Sequence, residues 1–137
     1  HYLTFSNPQW ATYFEMGFRL RERQLQRWMD WIARQDMPLI AVGDFNLTDS
    51  SAGYRIVAEH LADAHRQAGW GWGHTWPARS NRFLGMPFFS RLLRLDYVWH
   101  SNHWQVLDVR VAEWDRQSDH LPVVATLMLR TDWERVP

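Results

Sequence analysis

The sequence predicts an α+β fold, because two segments with helical periodicity alternate with short apolar runs that are rich in β-branched and aromatic residues. The apolar fraction of 46% and the aromatic fraction of 15% exclude a disordered chain. The 137 residues contain no internal repeat and no low-complexity linker, so we expect one folded unit. Cysteine is absent, which excludes disulfides and thiolate metal sites.

The first element is predicted to be an amphipathic helix over residues 15–35. Apolar residues recur there at helical spacing, at Leu20, Leu25, Trp28, Met29 and Ile32. Charged residues, mostly arginine, lie between them and form the opposite face, which we expect to be solvated. The helix should therefore pack on the core through one apolar stripe.

The second element is predicted to be a strand at residues 38–42. This apolar run is bounded by proline and glycine, a pattern typical of a strand that is buried on both faces. Asp44 and Asn46 follow it directly. Because side chains alternate with a two-residue period along a strand, these two groups are expected to share a face and to converge on one ligand.

A second helix is predicted after this strand. Thr48, Asp49 or Ser50 can cap its first turn, and Gly69 ends the polar tail that follows it. Its apolar positions are Tyr54, Ile56, Val57 and Leu61. A helix and a loop thus separate the first polar cluster from those further along the chain.

Three strands are predicted in the C-terminal part, at residues 95–100, 105–114 and 121–129. Ser101 and Asn102 can form the turn of a hairpin, so the first two of these strands are expected to pair antiparallel. The predicted order is therefore α-β-α followed by three strands.

Polar groups able to bind metal or phosphate stand at the ends of three predicted strands. They belong to the sequences Gly43-Asp44-Phe45-Asn46, Leu95-Asp96-Tyr97-Val98 and Ser118-Asp119-His120-Leu121-Pro122. A carboxylate such as Asp44 can orient and deprotonate water, and a carboxamide such as Asn46 can donate to a developing phosphoryl oxygen. Asp119 offers a hard oxygen ligand beside His120, which titrates near neutrality. This combination indicates a hydrolytic site.

Each of these groups also has a purely structural interpretation. Asp44 and Asn46 can satisfy backbone amides in a tight turn after the strand. Asp119 can form an Asx turn beside a surface histidine. Asp96 can be a water-exposed carboxylate at the start of a strand, where burial would instead require a partner. No single motif decides between structure and chemistry.

The order of the three motifs resembles the C-terminal half of the endonuclease/exonuclease/phosphatase superfamily, and residues 73–77 resemble the Thr-Trp-Pro segment of that family. The resemblance covers nearly the whole chain and favours catalysis. It implies part of a DNase I-like four-layer α/β sandwich, in which two β-sheets are flanked by helices over roughly twice this length. Residues 1–137 are therefore expected to be the C-terminal portion of a single domain, with the N-terminal half absent.

The resemblance also implies a role for each site residue. The catalytic positions are Asp44, Asn46, Asp96, His120 and His1. Asp119 matches a metal-site residue, and Asp96 is expected to hold the imidazole of His120 so that its other nitrogen contacts the scissile phosphate. Mg²⁺ is the implied cofactor, with Mn²⁺ as an alternative. The glutamate that supplies a main metal ligand in full-length members has no counterpart here, because it lies in their N-terminal half.

The implied function is metal-dependent hydrolysis of a phosphodiester by a nuclease or phosphodiesterase, and the isolated chain is expected to be inactive. Two alternatives stay open. The first is a catalytically incomplete or degenerate domain that acts as a binding module, and the second is a phosphomonoesterase or phospholipid head-group hydrolase. The expected partners are the substrate, which is a nucleic acid, a small phosphodiester or a lipid head group, and the missing N-terminal half. No stable protein partner is predicted.

Charge limits the substrate class. Fifteen basic and fifteen acidic residues cancel, which disfavours a nuclease that holds DNA tightly on a basic face. Local anion binding is predicted between Arg79 and Arg94, a stretch that also contains Arg82 and Arg91 and no acidic residue. Arg79 and Arg82 are candidate substrate-binding residues, and the alternative is a surface loop or short helix whose apolar residues complete the core. Ten tryptophans exceed the needs of packing, so some are expected to line the cleft or a contact outside this chain.

Overall fold

The computed structural model describes residues 8–79, 81–83, 86–88, 90–114 and 116–131, with the backbone alone for residues 8–19, 81–83 and 86–88. The helices are α1 (Pro8–Ile32), α2 (Ala52–Ala58) and α3 (Ala64–Ala68). The strands are β1 (Ile40–Asp44), β2 (Ala62–Asp63), β3 (Asn81–Phe83), β4 (Met86–Phe88), β5 (Asp96–His100), β6 (Trp104–Val111) and β7 (Val123–Leu129). The predicted α+β class is confirmed.

Within the described residues, the β-structure consists of two antiparallel sheets and a short hairpin. In the first sheet, β5 lies between β1 and β2. The second sheet pairs β6 with β7, and the hairpin pairs β3 with β4. The predicted pairing of residues 95–100 with 105–114 is wrong, because both edges of β5 are already occupied by β1 and β2. The chain therefore crosses after Ser101 to the other sheet, where β6 finds its partner in β7.

The helices α1 and α2 cover the outer face of the first sheet. Met29 and Ile32 of α1 and Tyr54 and Val57 of α2 are buried against the sheet residues Ala41, Tyr97 and Trp99. Three aromatic rings form the centre of this core: Trp99 lies 5.0 Å from Tyr54 and 5.4 Å from Tyr97, between ring centroids. The predicted stripe of α1 is buried only towards its C-terminal end, since Leu20 is exposed.

The inner face of the first sheet meets the second sheet only in part. Val98 of β5 is buried against Val109 of β6, but the inward side chains of β1 face an open groove, where Ile40 is 41% and Val42 66% exposed. This groove has a volume of about 670 Å³ and is bordered on its other side by β7. The prediction that the strand is buried on both faces is therefore wrong, because the second sheet covers β5 and not β1.

Three local predictions change in detail. The cap of α2 is Ser51, whose hydroxyl accepts a hydrogen bond from the N–H of Tyr54 at 3.1 Å, rather than any of the three residues before it. The polar tail contains the separate helix α3, which Gly69 ends. The arginine-rich stretch contains the hairpin of β3 and β4 instead of a loop or short helix. Among the described helices, none is both long and apolar enough to cross a bilayer.

Candidate active site

The register of the first sheet brings two acidic residues together. The strands β1 and β5 run antiparallel, and the last residue of β1, Asp44, is the cross-strand partner of the first residue of β5, Asp96. Residues far apart in the sequence thus present carboxylates at the same end of one sheet. The position of this pair follows directly from the pairing of the two apolar strands.

His120 joins this pair from the loop before β7. Its Nδ1 lies 2.7 Å from Oδ2 of Asp96, and its Nε2 lies 4.0 Å from Oδ2 of Asp44. The N–H of His120 donates to Oγ of Ser118 at 3.0 Å, which fixes the loop locally. The predicted contact between Asp96 and His120 is present, and the imidazole lies between the two carboxylates.

The surroundings of His120 favour its charged form. Burial lowers the pKa of this imidazole, but the hydrogen bond to Asp96 and the charges of Asp96, Asp44 and Asp119 outweigh it, so the pKa is raised above its ordinary value. A raised folded-state pKa means that the imidazolium stabilises the fold. This contribution is fully present below the ordinary histidine pKa of 6.5 and is lost as the pH rises through the folded-state pKa.

We expect Asp96→Asn to lower the pKa of His120, because the substitution removes the nearest negative charge and weakens the hydrogen bond to Nδ1. The measurement is a pH titration of the His120 ring signals by NMR, in metal-free buffer. Asp30→Asn, which changes an exposed carboxylate on α1, is the matched control and should leave the titration unchanged. An unchanged midpoint in the Asp96→Asn protein would show that this pair does not set the charge of His120.

Asp44 is also bound to Asn46. The backbone N–H of Asn46 donates to Oδ1 of Asp44 at 2.8 Å, and its side-chain Nδ2 donates to Oδ2 at 3.1 Å. Asn46 lies beyond the end of β1 with a positive φ of 51°, so a turn, and not the two-residue period of a strand, brings the two side chains together. Asp44 therefore accepts hydrogen bonds in this turn and also belongs to the cluster with Asp96 and His120. Asn46, Asp44, His120 and Asp96 consequently form one continuous row.

Thr75 ties together the segments that carry Asp96 and His120. It is fully buried, and its hydroxyl lies 3.2 Å from the N–H of Leu95 and 3.4 Å from that of Asp96, accepting from both. Its carbonyl accepts from the N–H of Leu121 at 2.8 Å. Thr75 lies in the Thr-Trp-Pro segment, but it was not among the candidate site residues. Thr75 therefore fixes the backbone on both sides of the imidazole–carboxylate pair.

A group of three side chains in this site can hold a metal ion. Asp44, Asp96 and His120 each bring one ligand atom to within 4.8 Å of the others. Carboxylate oxygens suit hard divalent cations such as Mg²⁺, so the two aspartates fit such an ion. The fit of the histidine is only partial, because its Nδ1 is already hydrogen-bonded to Asp96. Asp119 is not in this group of described residues, and its Oδ2 accepts from the indole N–H of Trp76 at 3.2 Å.

The remaining predicted site residues are Arg79, Arg82 and His1. The guanidinium of Arg79 lies over the ring of Trp114, 5.7 Å from its centroid. The indole N–H of Trp114 donates to the carbonyl of Ser118 at 2.6 Å, which places Arg79 close to the loop of His120. The side chain of Arg82 and the whole of His1 lie outside the described residues.

A buried ion pair lies behind the site, between Arg94 and Asp63. Their side chains are 2.7 Å apart at 4% and 3% exposure, and the hydroxyl of Tyr54 donates to Asp63 at 2.8 Å. The guanidinium of Arg94 also lies 4.7 Å from the ring centroid of Tyr97. Arg94 was predicted to belong to a stretch that binds anions locally, but it is buried and already paired with Asp63. Because it lies two residues before Asp96, it supports the start of β5 instead.

Tyr97 connects this support to the turn of Asn46. Its hydroxyl lies 2.8 Å from the carbonyl of Leu47 and 2.9 Å from that of Arg94, to which it can donate. Burial raises the pKa of Tyr97, so the phenol stays protonated and keeps its donor. One side chain thus links the segments that follow β1 and precede β5.

Comparisons with known proteins agree with this arrangement. The model of the Endonuclease/Exonuclease/phosphatase family matches residues 2–120. A search of curated proteins finds no match. Among solved structures, an endonuclease/exonuclease/phosphatase from Bacteroides vulgatus is 23% identical with a TM-score of 0.64, over 80% of this chain and 44% of that one.

Two further structures are similar at comparable identity. A functionally unknown conserved protein from Enterococcus faecalis is 19% identical with a TM-score of 0.61, over 80% of this chain and 44% of that one. A mannosyl-6-phosphatase from Bacteroides thetaiotaomicron is 22% identical with a TM-score of 0.53, over 79% of this chain and 44% of that one. At these identities the likeness concerns the fold, and the chain spans less than half the length of these proteins.

Proposed function

Since this chain belongs to the endonuclease/exonuclease/phosphatase family, we propose that the polypeptide carrying it is a metal-dependent phosphodiester hydrolase, acting as a nuclease or phosphodiesterase. The observation that carries the proposal is the convergence of Asp44, Asp96 and His120 within 4.8 Å. Carboxylates on both sides of an imidazole with a raised pKa provide a base and a cationic donor in one pocket.

Each member of the row has a proposed role. Asp44 orients the attacking water and accepts its proton. The Nε2–H of His120 and the amide of Asn46 donate to the phosphoryl oxygens as negative charge develops on them. Asp96 acts through His120, because its bond to Nδ1 fixes the ring and leaves Nε2 directed towards the substrate. The P–O bond to the leaving group breaks as the bond to the water oxygen forms.

Mg²⁺ is the proposed cofactor, with Mn²⁺ as the alternative, and its ligands include Asp119. When bound, the cation supplies Lewis-acid polarisation of the phosphoryl oxygen. A glutamate outside this chain would complete the donor set. The complementary N-terminal half is thus a proposed partner of this chain, and the site on the isolated chain is proposed to be inactive.

Arg79 and Arg82 are proposed to bind the substrate next to this row. The support for Arg79 is its contact with Trp114, whose indole holds the carbonyl of Ser118 in the loop of His120. A guanidinium at this edge can pair with a phosphate oxygen in a bidentate manner. For Arg82, the support is its place in β3, within the same acid-free stretch.

A phosphomonoester is the second candidate substrate, because one protein of similar fold is a mannosyl-6-phosphatase. The same row of side chains can act on either ester, since both reactions transfer a phosphoryl centre to water. A domain that binds its ligand without hydrolysis is the remaining alternative. The first two proposals differ in which ester is cleaved, and the third predicts no cleavage. A substrate panel therefore separates them.

The test is a divalent-dependent assay of the full-length polypeptide on DNA, bis(p-nitrophenyl) phosphate, a phospholipid with a diester head group, and p-nitrophenyl phosphate. We expect cleavage of a diester that EDTA abolishes and Mg²⁺ restores. Asp44→Asn should abolish it, while Asp30→Asn on α1 should not. Cleavage of the monoester alone would replace the diesterase proposal by a phosphatase, and ligand binding with no cleavage would support the binding module.

A further inference from the structure

The turn that follows α3 leaves two tryptophans in solvent. Trp70 is 96% and Trp72 83% exposed. They stand on either side of Gly71, whose φ is +73°, and Gly73 follows with a φ of +67°. Left-handed backbone at both positions is readily adopted only by glycine, so the tight turn is built into the sequence. Large apolar side chains grouped on a surface mark an interaction site.

Both indoles line one open cavity of about 450 Å³, together with His74, Arg91 and Arg110. The ring of His74 stacks on Trp72 with centroids 6.1 Å apart, and its Nδ1 lies 2.7 Å from the carbonyl of Arg91, which accepts. This bond holds the segment of Arg91 next to the tryptophans. We call Trp70, Trp72, Arg91 and Arg110, which all line this cavity, the tryptophan face.

The charge of this region differs from that of the whole chain. No acidic residue occurs between Asp63 and Asp96, whereas five arginines do, in a sequence with a net charge of zero. Two of them, Arg66 and Arg94, pair with carboxylates elsewhere. Among the described residues that line the cavity, two are arginines and none is a carboxylate. The tryptophan face is therefore both apolar and cationic.

We propose that the tryptophan face docks the protein on the surface of an anionic lipid bilayer. Indoles are stable at the level of the head groups, where their apolar rings leave water while the N–H stays hydrated. The indoles lie at the boundary between head groups and acyl chains, and Arg91 and Arg110 pair with lipid phosphates. This inference concerns binding and does not depend on the proposed hydrolysis.

A single-stranded polynucleotide fits the same observations less well. Indoles can stack on bases and arginines can pair with phosphates, but such binding also uses a long cationic groove that follows the backbone, and the described residues of this cavity include only two arginines. The exposed indoles gain from transfer into an apolar layer. A chain of zero net charge also lacks the long-range field that attracts polynucleotides. At a bilayer that the indoles already contact, a local cationic patch is enough to attract the anionic head groups.

The test is co-sedimentation of the full-length polypeptide with phosphatidylcholine vesicles, with and without phosphatidylserine. We expect stronger binding when phosphatidylserine is present, and weaker binding at high salt. The Trp70→Ala/Trp72→Ala double variant and Arg91→Glu should each weaken binding to the anionic vesicles by about tenfold or more. Trp31→Ala is the matched control, because Trp31 is a half-exposed tryptophan on α1 outside the cavity, and should bind as the parent does.

Circular dichroism and the melting temperature verify that the variants stay folded, which their exposed positions favour. Two results would overturn the proposal. One is that the parent protein does not bind anionic vesicles, or binds them as well after both indoles are removed. The other is that the protein binds a single-stranded oligonucleotide through Trp70 and Trp72 but does not bind vesicles. That result would identify a nucleic acid as the partner.

Discussion

We expect His120→Ala to lower kcat of the full-length polypeptide by about 100- to 1,000-fold on its preferred phosphate ester. The side chain lies between Asp44 and Asp96, and its raised pKa keeps a cationic donor in place where charge develops on the phosphoryl group. KM should change much less, because the donor acts mainly on the transition state. The measurement is steady-state kinetics at saturating Mg²⁺.

The control for this variant is His60→Ala, which removes an exposed histidine just after α2. Its activity should equal that of the parent. Imidazole added to the His120→Ala protein should restore part of the rate if the missing ring is the cause. Near wild-type turnover in His120→Ala would remove His120 from the reaction, even if the protein were otherwise an active hydrolase.

The largest stability effect is expected for Arg94→Met, at about 3–5 kcal/mol of unfolding free energy. The substitution keeps an apolar stem but removes the guanidinium, which lies 2.7 Å from the carboxylate of Asp63 in the native pair. The buried carboxylate is then left without a cation. The hydrogen bond from Tyr54 offsets only part of that loss, because a neutral donor does not neutralise the charge. Urea denaturation of the full-length polypeptide, followed by tryptophan fluorescence, gives the free energy.

Arg66→Met provides the matched control for this second variant. Arg66 also pairs with a carboxylate, Asp49, but at 3.6 Å and with both side chains about half exposed. Because water screens such a pair, we expect a change within about 1 kcal/mol. The double variant Arg94→Met/Asp63→Asn should recover part of the stability, since no unpaired charge then remains. A loss below 1 kcal/mol in Arg94→Met would show that the buried pair adds little.

Much of the candidate site was predictable because motif order carries information that local pattern does not. Asp44, Asp96 and His120 were expected to converge, and the register of β1 and β5 brings the two carboxylates together. The strands β1, β5, β6 and β7 follow from apolar composition. What the residue pattern could not supply was the partner of each strand, because β-pairing depends on which edges are free.

The pairing of β5 shows this limit. Its sequence and the turn at Ser101 fit a hairpin with β6, but β1 and β2 already occupy both edges. The burial of β1 was overestimated for a related reason. An apolar run implies that a strand can be buried on both faces, and only the arrangement of the second sheet shows that Val42 faces a groove.

The supporting residues were missed because their function depends on distant partners. Thr75 is a common polar residue whose importance appears only when its hydroxyl and carbonyl are seen to bond to Asp96 and Leu121. Arg94 was predicted to belong to a stretch that binds anions locally, and only the fold brings Asp63 next to it in the core. Spacing along the sequence contains no signal for such contacts.

The backbone bonds around Trp76 carry a consequence for how this fold can diversify. The N–H groups of Leu92 and Leu93 both donate to the carbonyl of Trp76, and the carbonyl of Leu93 accepts from Thr75, so the base of the intervening hairpin is closed. Changes in the length of the hairpin of β3 and β4 are thereby insulated from the backbone positions of Asp96 and His120. Insertions and deletions in this hairpin can therefore change what the protein recognises during evolution, while Asp96 and His120 keep their relative positions.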